Sequence, residues 1–477
     1  MIALSARRLL CHTEASAQQD LGRRAVANLG RIIMSKLNEL AFRTKSRALS
    51  PSSFRAWREL ESHDRLSPEQ ITQLRDRRAV EIARFAFENS AFYRELYSAH
   101  GFSRADLEDP AVFTALPFLT KDMIRENFDR IRTADATPKN AVKSVSSGST
   151  GHPLTVFSDR RAPVRAYEWR AMGWWGVSPW ENAATIDRSW RKGSRKWQHR
   201  VFWWPIQRML FHTLELDDAT LERFLSEWHQ YRPQYVVGFI GGISTVAQHA
   251  ARRNESLEPA KAVAVTAGPL FEGHRREMES VYGGRVYNVY RSTESNWLAA
   301  ECQEQDGLHV FEDIKRLEVV REDGSPCDVG ESGETVFTDF ENRVFPLVRY
   351  RIGDRTSRLD GACACGRPFG RVTRIDGRIV DSLVFPSGRT LTGDIFDYFE
   401  GCSDQIRQYQ VYQGEDFGVE VTLRLTEHSD ARKVAEERVA RLRAHVGGEA
   451  PVTLKVVDEI EPVRGKFRPI VSDAQRP

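Results

Sequence analysis

No stretch of the 477-residue sequence is long and apolar enough to span a bilayer, and mean hydropathy is -0.48. No membrane-spanning helix is therefore expected. Cysteine is scarce, with six in the chain. That density rules out a disulfide scaffold and suits the reducing cytoplasm. Charge of one sign is also lacking, since the net value is only +3, so no overall basic footprint points to nucleic acid. Internal repeats and low-complexity tracts are absent. The length exceeds one ordinary domain and predicts two or three. The first fifty residues depart from this balance, with nine Lys or Arg against three acids. They lack the continuous apolar core of a secretory signal. Residues 1–50 read as a basic, loosely ordered N-terminal extension, with an amphipathic surface anchor as the alternative.

From 51 to 130 the pattern is helical. Ser67-Pro68-Glu69-Gln70 has the form of a capped start, and Ile71, Leu74, Ile82, Phe85, Phe92 and Leu96 then recur on one face. Asn89-Ser90 divides this run, Gly101 closes it, and Thr120 caps a further helix through Phe128. From about 141 the chain alternates. Strand-like runs 141–145, 235–240, 262–266 and 285–290 are separated by helix-like stretches such as 219–231 and 273–282. This alternation predicts an α/β sheet with ligand loops at the carboxyl ends of its strands. The last hundred residues read as a separate small unit, with strands 405–412, 418–425 and 452–457 and a helix over 430–446. Eight of the eleven Trp fall between Trp169 and Trp204, interleaved with Arg and Lys. A basic aromatic segment can stack bases, but it reads more simply as core packing or a subunit contact, with a wall of an acyl pocket as a further option.

Chemistry concentrates in five places. Ser146-Ser147-Gly148-Ser149-Thr150-Gly151 follows a strand-like run. Its small residues let backbone amides and hydroxyls wrap an anion, but it lacks the Gly-Lys-Ser/Thr ending of a Walker loop. Tyr290-Arg291-Ser292-Thr293-Glu294, Tyr350-Arg351-Ile352-Gly353-Asp354, Gly377-Arg378-Ile379-Val380-Asp381 and Gly465-Lys466-Phe467-Arg468 follow in order. Carboxylates there can hold Mg²⁺ and ribose hydroxyls, and cations can offset phosphate charge.

In this order and spacing the motifs resemble those of the adenylate-forming superfamily of acyl-CoA synthetases, peptide-synthetase adenylation domains and luciferases. The resemblance is closest to the phenylacetate–CoA ligase branch with its CapK-like members. Leu116-Pro117-Phe118-Leu119-Thr120-Lys121-Asp122 and Asn89–Tyr93 resemble that branch's opening segments. The resemblance covers roughly residues 65–475. It implies a large N-terminal α/β domain over 51–376, helical at its start, and a small mobile α+β lid over 377–477. It further implies ATP-dependent activation of a small carboxylic acid as its acyl-AMP, then transfer to CoA. An acid–amine ligase or an AMP-transferring enzyme is the alternative, and a catalytically inactive binding homologue is the rival from outside the enzymes. By the same resemblance Ser146–Gly151 cradles the ATP phosphates, Asn288 and Tyr290 hold adenine, and Ala267-Gly268-Pro269 lines its other side. Thr293 contacts the α-phosphate, Glu294 holds Mg²⁺, Asp354 takes the ribose with Arg378 nearby, and Lys466 is the catalytic cation. Phe239, Gly241, Gly242, Tyr290 and Trp297 are candidate acyl-pocket walls and point to an aromatic or planar acid. Arg191, Lys192, Arg195 and Lys196 are available to the phosphates of CoA.

Two positions depart from the family pattern. His152 stands where the phosphate loop usually carries Lys, so one full charge is missing. Arg291 stands where Gly often follows the motif tyrosine, which alters the expected acyl pocket. Among the cysteines, Cys302, Cys363 and Cys365 together with His309 make a common tetrahedral zinc set. Some members of the resembled branch carry zinc on such a set. Cys11, Cys327 and Cys402 read as ordinary thiols. Oligomeric state, a homodimer included, is not legible.

Overall fold

The computed structural model describes residues 34–474 apart from 146–153, 188–193, 213–215, 217, 271, 376, 379–382, 388–389, 392–397, 400–401, 403–404 and 461–468. The described residues open on helix α1, 34–49, so the last third of the basic extension is helical, against the loose extension expected. Its Phe42 is buried against Trp57 and Trp169 at ring separations of 6.2 and 5.0 Å, and that contact anchors the helix. Then follow α2, Pro51–His63, and α3, Pro68–Asn89. The capping box starts α3 as expected: Ser67 Oγ accepts from the Gln70 N–H while the Gln70 side chain accepts from the Ser67 N–H. Ser90, extended at φ −121°, ends α3 and opens α4, Ala91–Ala99. Thr120 caps α5, Lys121–Glu126. That helix stops at Asn127 rather than running through Phe128, which begins the single-turn α6, Phe128–Ile131.

The strands are β1, Ala141–Val145; β2, Thr155–Asp159; β3, Ala183–Asp187; β4, Arg208–His212; β5, Tyr235–Phe239; β6, Ala262–Thr266; and β7, Arg285–Ser292. Next come β8, Asn296–Glu301; β9, Leu308–Val310; β10, Lys315–Val320; β11, Ser332–Asp339; β12, Tyr350–Leu359; β13, Arg371–Val372; and β14, Gly377–Arg378. One large sheet runs β10-β11-β12-β13-β9-β8-β7-β6-β5-β3-β4, with β14 also on β12. Its β4-β3-β5-β6-β7 half is parallel and buried, as strands separated by helices require. Helix α7, Val164–Trp174, precedes β3, and between the parallel strands lie α8, Ser194–Trp203; α9, Asp218–Tyr231; α10, Ile240–Arg252; and α11, Glu272–Tyr282. From β7 onward the pairing is antiparallel, an extension that the alternation of strands and helices did not reveal. Gly238 sits at the crowded middle of the parallel half. A Cβ there would lie 2.0 Å from the Ile186 carbonyl oxygen, so only glycine fits.

β1 is not part of this sheet. It pairs antiparallel with β2 in a separate two-stranded sheet, Val145 facing Thr155. The family-like segment Leu116–Asp122 docks along the entry of β12: the Leu119 N–H donates to the Arg349 carbonyl at 3.0 Å, and the Arg351 N–H donates to Leu119 O at 2.9 Å. The guanidinium groups of Arg349 and Arg351 lie 4.1 and 4.5 Å from the Phe118 ring centre.

Past β14 the packing changes partners. Residues β15, Leu383–Val384, and β16, Thr390–Leu391, pair with each other. Leu383 and Phe385 are buried with the last elements rather than with the large sheet. Those elements are β17, Ile406–Gln413; β18, Val419–Leu425; α12, Ala431–Val446; β19, Val452–Val456; and β20, Ile470–Ser472. They form a four-stranded sheet ordered β19-β18-β17-β20 with its own apolar cluster. The fold is thus α/β with a smaller α+β unit at the carboxyl end, as the sequence predicts.

Candidate active site

Strand β7 supplies Asn288 and Tyr290, two residues apart and so on one face of the sheet. The strand is held in place by the Asn288 N–H, which donates to Glu301 Oε2 at 2.7 Å. Arg275 in turn pairs with Glu301 at 2.8 Å. At Tyr290/Arg291 the register to β8 shifts, so Tyr290 faces Ala299 while Arg291 faces Trp297. Such a bulge re-aims the side chains beside it. Tyr290 is buried, and its hydroxyl donates to Asp354 Oδ2 at 2.7 Å. That bond joins two motifs 64 residues apart. Asp354 lies in β12 just after Gly353, whose φ of +83° favours glycine, and it faces Arg378 across the β12–β14 ladder. The side chain of Arg378 is not among the described groups.

Thr293 and Glu294 form the tight turn between β7 and β8, closed by the Ser295 N–H donating to Ser292 Oγ at 3.0 Å. Ser295 then fastens the turn from beneath. Its hydroxyl donates to Asp339 Oδ2 at 2.8 Å, and Asp339 pairs with the fully buried Lys315 at 2.5 Å. A buried ion pair satisfied on both sides fixes geometry, whereas half of one is costly. Sequence reasoning missed Ser295, Asp339 and Lys315. Lys315 and Asp339 stand at opposite ends of paired strands, directly opposed in the β10–β11 register, and nothing in their local sequence marks that partnership.

Ala267-Gly268-Pro269 leaves β6 with Ala267 in the left-handed region at φ +69°. Strain at a non-glycine residue is tolerated where the surroundings enforce it. A Cβ on Gly268 would come within 2.8 Å of Ile240. Ile240 starts α10 directly after Phe239, so the β6 exit packs against the β5–α10 junction that holds Gly241 and Gly242. Gly241 is exposed there and Gly242 buried. Trp297, a proposed pocket wall, is buried and stacks on Phe311 at 5.9 Å, with the Arg291 guanidinium 5.2 Å from its ring centre. Ser146–Gly151, His152, Arg191, Lys192 and Lys466 lie outside the described residues, as do the side chains of Arg195 and Lys196.

Away from this turn, Cys302, His309, Cys363 and Cys365 bring their ligand atoms within 4.8 Å of one another. Cys302 Sγ lies 3.7 Å from Cys363 Sγ, and Cys365 Sγ lies 3.3 Å from His309 Nε2. Nδ1 of His309 is 3.2 Å from the Phe369 carbonyl. Donation there leaves Nε2 as the lone-pair nitrogen turned to the sulfurs, the arrangement a metal-binding histidine uses. Burial pushes the Cys302 thiol up to about 12 and the imidazole of His309 down to about 4. Cys365 moves the other way: burial opposes ionisation, but hydrogen bonds from the Arg367 backbone and side chain outweigh it. Four such donors, three of them buried and all within reach of one point, fit a metal ion.

Comparison with known proteins shows what the chain is similar to in sequence and in fold. No family model matches the chain. A phenylacetate–coenzyme A ligase of Thermus thermophilus is 26% identical over 333 residues, covering 67% of this chain and 73% of that protein. The corresponding enzyme of Escherichia coli is 25% identical over 350 residues, covering 67% and 75%. Protein CapK of Staphylococcus aureus is 23% identical over 290 residues, covering 60% and 62%. Among solved structures, a 2-hydroxyisobutyryl-CoA ligase in its postadenylation state superposes with a TM-score of 0.70 at 18% identity, over 86% of this chain and 91% of that one. In sequence the chain is thus similar to phenylacetate–coenzyme A ligases and to CapK, and its fold is that of a 2-hydroxyisobutyryl-CoA ligase. The Tyr290–Asp354 bond and the Thr293–Glu294 turn lie on the motifs that carry the resemblance.

Proposed function

We propose that this ligase activates a small carboxylic acid with ATP and passes the acyl group to CoA. In the first step a carboxylate oxygen attacks the α-phosphorus. The bond to the bridging oxygen breaks, and pyrophosphate leaves with that electron pair. In the second step the sulfur of CoA attacks the acyl carbonyl and expels AMP, giving a thioester, with the thiol proton passing to solvent. Asn288 and Tyr290 hold adenine against the Ala267–Pro269 exit, and Asp354 takes the ribose hydroxyls with its carboxylate oriented by Tyr290. Thr293 binds the α-phosphate, and the turn beneath it keeps Glu294 where it would hold Mg²⁺. Bound there, Mg²⁺ would neutralise phosphate charge. Ser146–Gly151, which follows β1 in the sequence, wraps the outer phosphates.

The division at 376/377 marks the start of a lid that carries Lys466 to the reacting phosphate. Gly377 and Arg378 still pair with β12 of the large sheet, and the change of packing partners that supports a lid falls between Arg378 and Leu383. Phe239, Gly241, Gly242 and Trp297 are read as the acid-pocket region. Cys302, His309, Cys363 and Cys365 are read as a structural zinc site, with the imidazole neutral and the thiols ionised on binding.

The observation that carries the reading is the Tyr290 hydroxyl on the Asp354 carboxylate, which joins the presumed adenine and ribose motifs in one buried contact. Acid-dependent ATP–pyrophosphate exchange over a panel of aromatic and aliphatic acids tests it, with Lys466→Ala as the control. One acid or group of acids should support exchange, and Lys466→Ala should lose about a hundred- to a thousandfold of it. Exchange with no acid, or a Lys466→Ala rate within a few-fold of the parent, contradicts the assignment.

A further inference from the structure

Of the thirteen exposed large hydrophobic residues among those described, eight lie within 34–49 or 197–204. This concentration is unrelated to the ATP motifs. On α1 they include Met34, Leu37 and Leu40; at α8 and its exit they include Trp197, Val201 and Trp204. Leu40, Trp204 and Trp197 are 65, 65 and 68% exposed. The helical period turns Leu37 and Leu40 away from Phe42 and Ser46, the buried side of α1. The two segments are tied together: Lys45 Nζ donates to the Phe202 carbonyl at 3.2 Å and to the Trp204 carbonyl, and lies 5.6 Å from the Trp204 ring centre. Arg165 of α7 lies 5.5 and 5.7 Å from the rings of Phe202 and Trp203. Phe42 roots α1 in the aromatic core beneath. The patch is therefore a mounted surface, with exposed apolar groups held at fixed positions.

Its charge is one-sided. Residues 34–49 hold Lys36, Arg43, Lys45 and Arg47 against Glu39, which pairs with Arg43 at 2.8 Å. The sequence of α8 holds Arg195, Lys196 and Arg200 and no acid. We infer that α1 and α8 form a docking surface for an anionic lipid bilayer, on which the protein lies. Basic residues draw such helices to anionic headgroups, while Trp and Leu side chains insert at the headgroup–acyl boundary. No helix of the described residues is long and apolar enough to cross a membrane, so the seat is interfacial. Two other occupants fit less well. A second copy on a two-fold axis would set this basic patch against itself. Single-stranded nucleic acid would use the indoles, but Met34, Leu37, Leu40 and Val201 offer no ring on which a base can stack.

The test is co-sedimentation of the full chain with phosphatidylcholine vesicles, with and without phosphatidylglycerol, at low and high salt. Binding should need the anionic lipid and fall with salt. Leu40→Ser with Trp197→Ser should weaken it at least about tenfold, as should Lys36→Glu with Arg47→Glu. Thermal unfolding and acid-dependent pyrophosphate exchange without vesicles should stay unchanged, since these side chains are exposed and remote from the ATP motifs in sequence. No binding to either vesicle, or binding that the variants leave intact, overturns the proposal. A dimer in sedimentation equilibrium that Trp197→Ser dissolves assigns the patch to a second copy. Binding of an oligonucleotide but not of vesicles assigns it to nucleic acid.

Discussion

The hydroxyl of Tyr290 donates to Oδ2 of Asp354 at 2.7 Å, across the buried junction between β7 and β12. Removing that donor leaves a buried carboxylate short of one partner, a loss of about 1–3 kcal/mol. Tyr290→Phe should therefore raise the KM for ATP by about five- to a hundredfold. The KM for the acid should change little. Steady-state kinetics with each substrate varied in turn separates the two, and an unchanged ATP KM would show that Asp354 is oriented by other groups.

The Thr293–Glu294 turn depends on groups it does not contain. Lys315→Met leaves Asp339 buried without its cation and should cost about 3–5 kcal/mol of stability. Changing both, Lys315→Met with Asp339→Leu, removes the unpaired charge and should recover most of the loss in Tm. The double variant still lacks the acceptor of Ser295, so kcat for adenylation should stay low. Full recovery of both quantities would mean that the pair is structural only.

The Cys302–His309–Cys363–Cys365 set should bind one Zn²⁺ per chain in protein purified without chelator, measured by elemental analysis. Cys363→Ser should release the metal and lower Tm by several degrees, because a closed site contributes its binding energy to folding. Chelation of the parent protein should have the same sign. Metal content well under one per chain excludes the site.

Arg291 lies over Trp297 where the family pattern has glycine. If that guanidinium fills part of the acid pocket, Arg291→Gly should widen the range of acids that support exchange and weaken selection among them by about tenfold, the scale of one or two methylenes of pocket space. An unchanged acid profile places Arg291 outside the pocket.

Much of this was legible because local rules and tertiary structure agree. The Ser67 capping box, the glycine bend at Gly101 and the strands Ala141–Val145 and Ala262–Thr266 fall where capping and β-branched runs place them. Position in a sheet is another matter. β1 obeys strand propensity yet pairs only with β2, and β8 to β13 are antiparallel strands of 2 to 10 residues whose pairing partners no local pattern names. The four metal-site residues were legible only through the family resemblance, since type and spacing alone read more simply as unconnected residues, and the structure brings them together. Lys315 and Asp339 were not, since a buried ion pair is a property of two strands and neither strand alone announces it. The Trp-rich segment divides in a way composition cannot show: Trp169, Trp174 and Trp175 are core, whereas Trp197 and Trp204 face solvent.

The central claim is acyl transfer to CoA through an adenylate. The most direct measurement supplies ATP, Mg²⁺ and the best acid from the exchange screen, then adds CoA or a mixture of amines, with products followed by mass spectrometry. The account predicts acyl-AMP without CoA, and with CoA an acyl-CoA formed in step with AMP and faster than the adenylate decays by itself. Adenylate that persists unchanged in the presence of CoA, or an amide formed in its place, would contradict it.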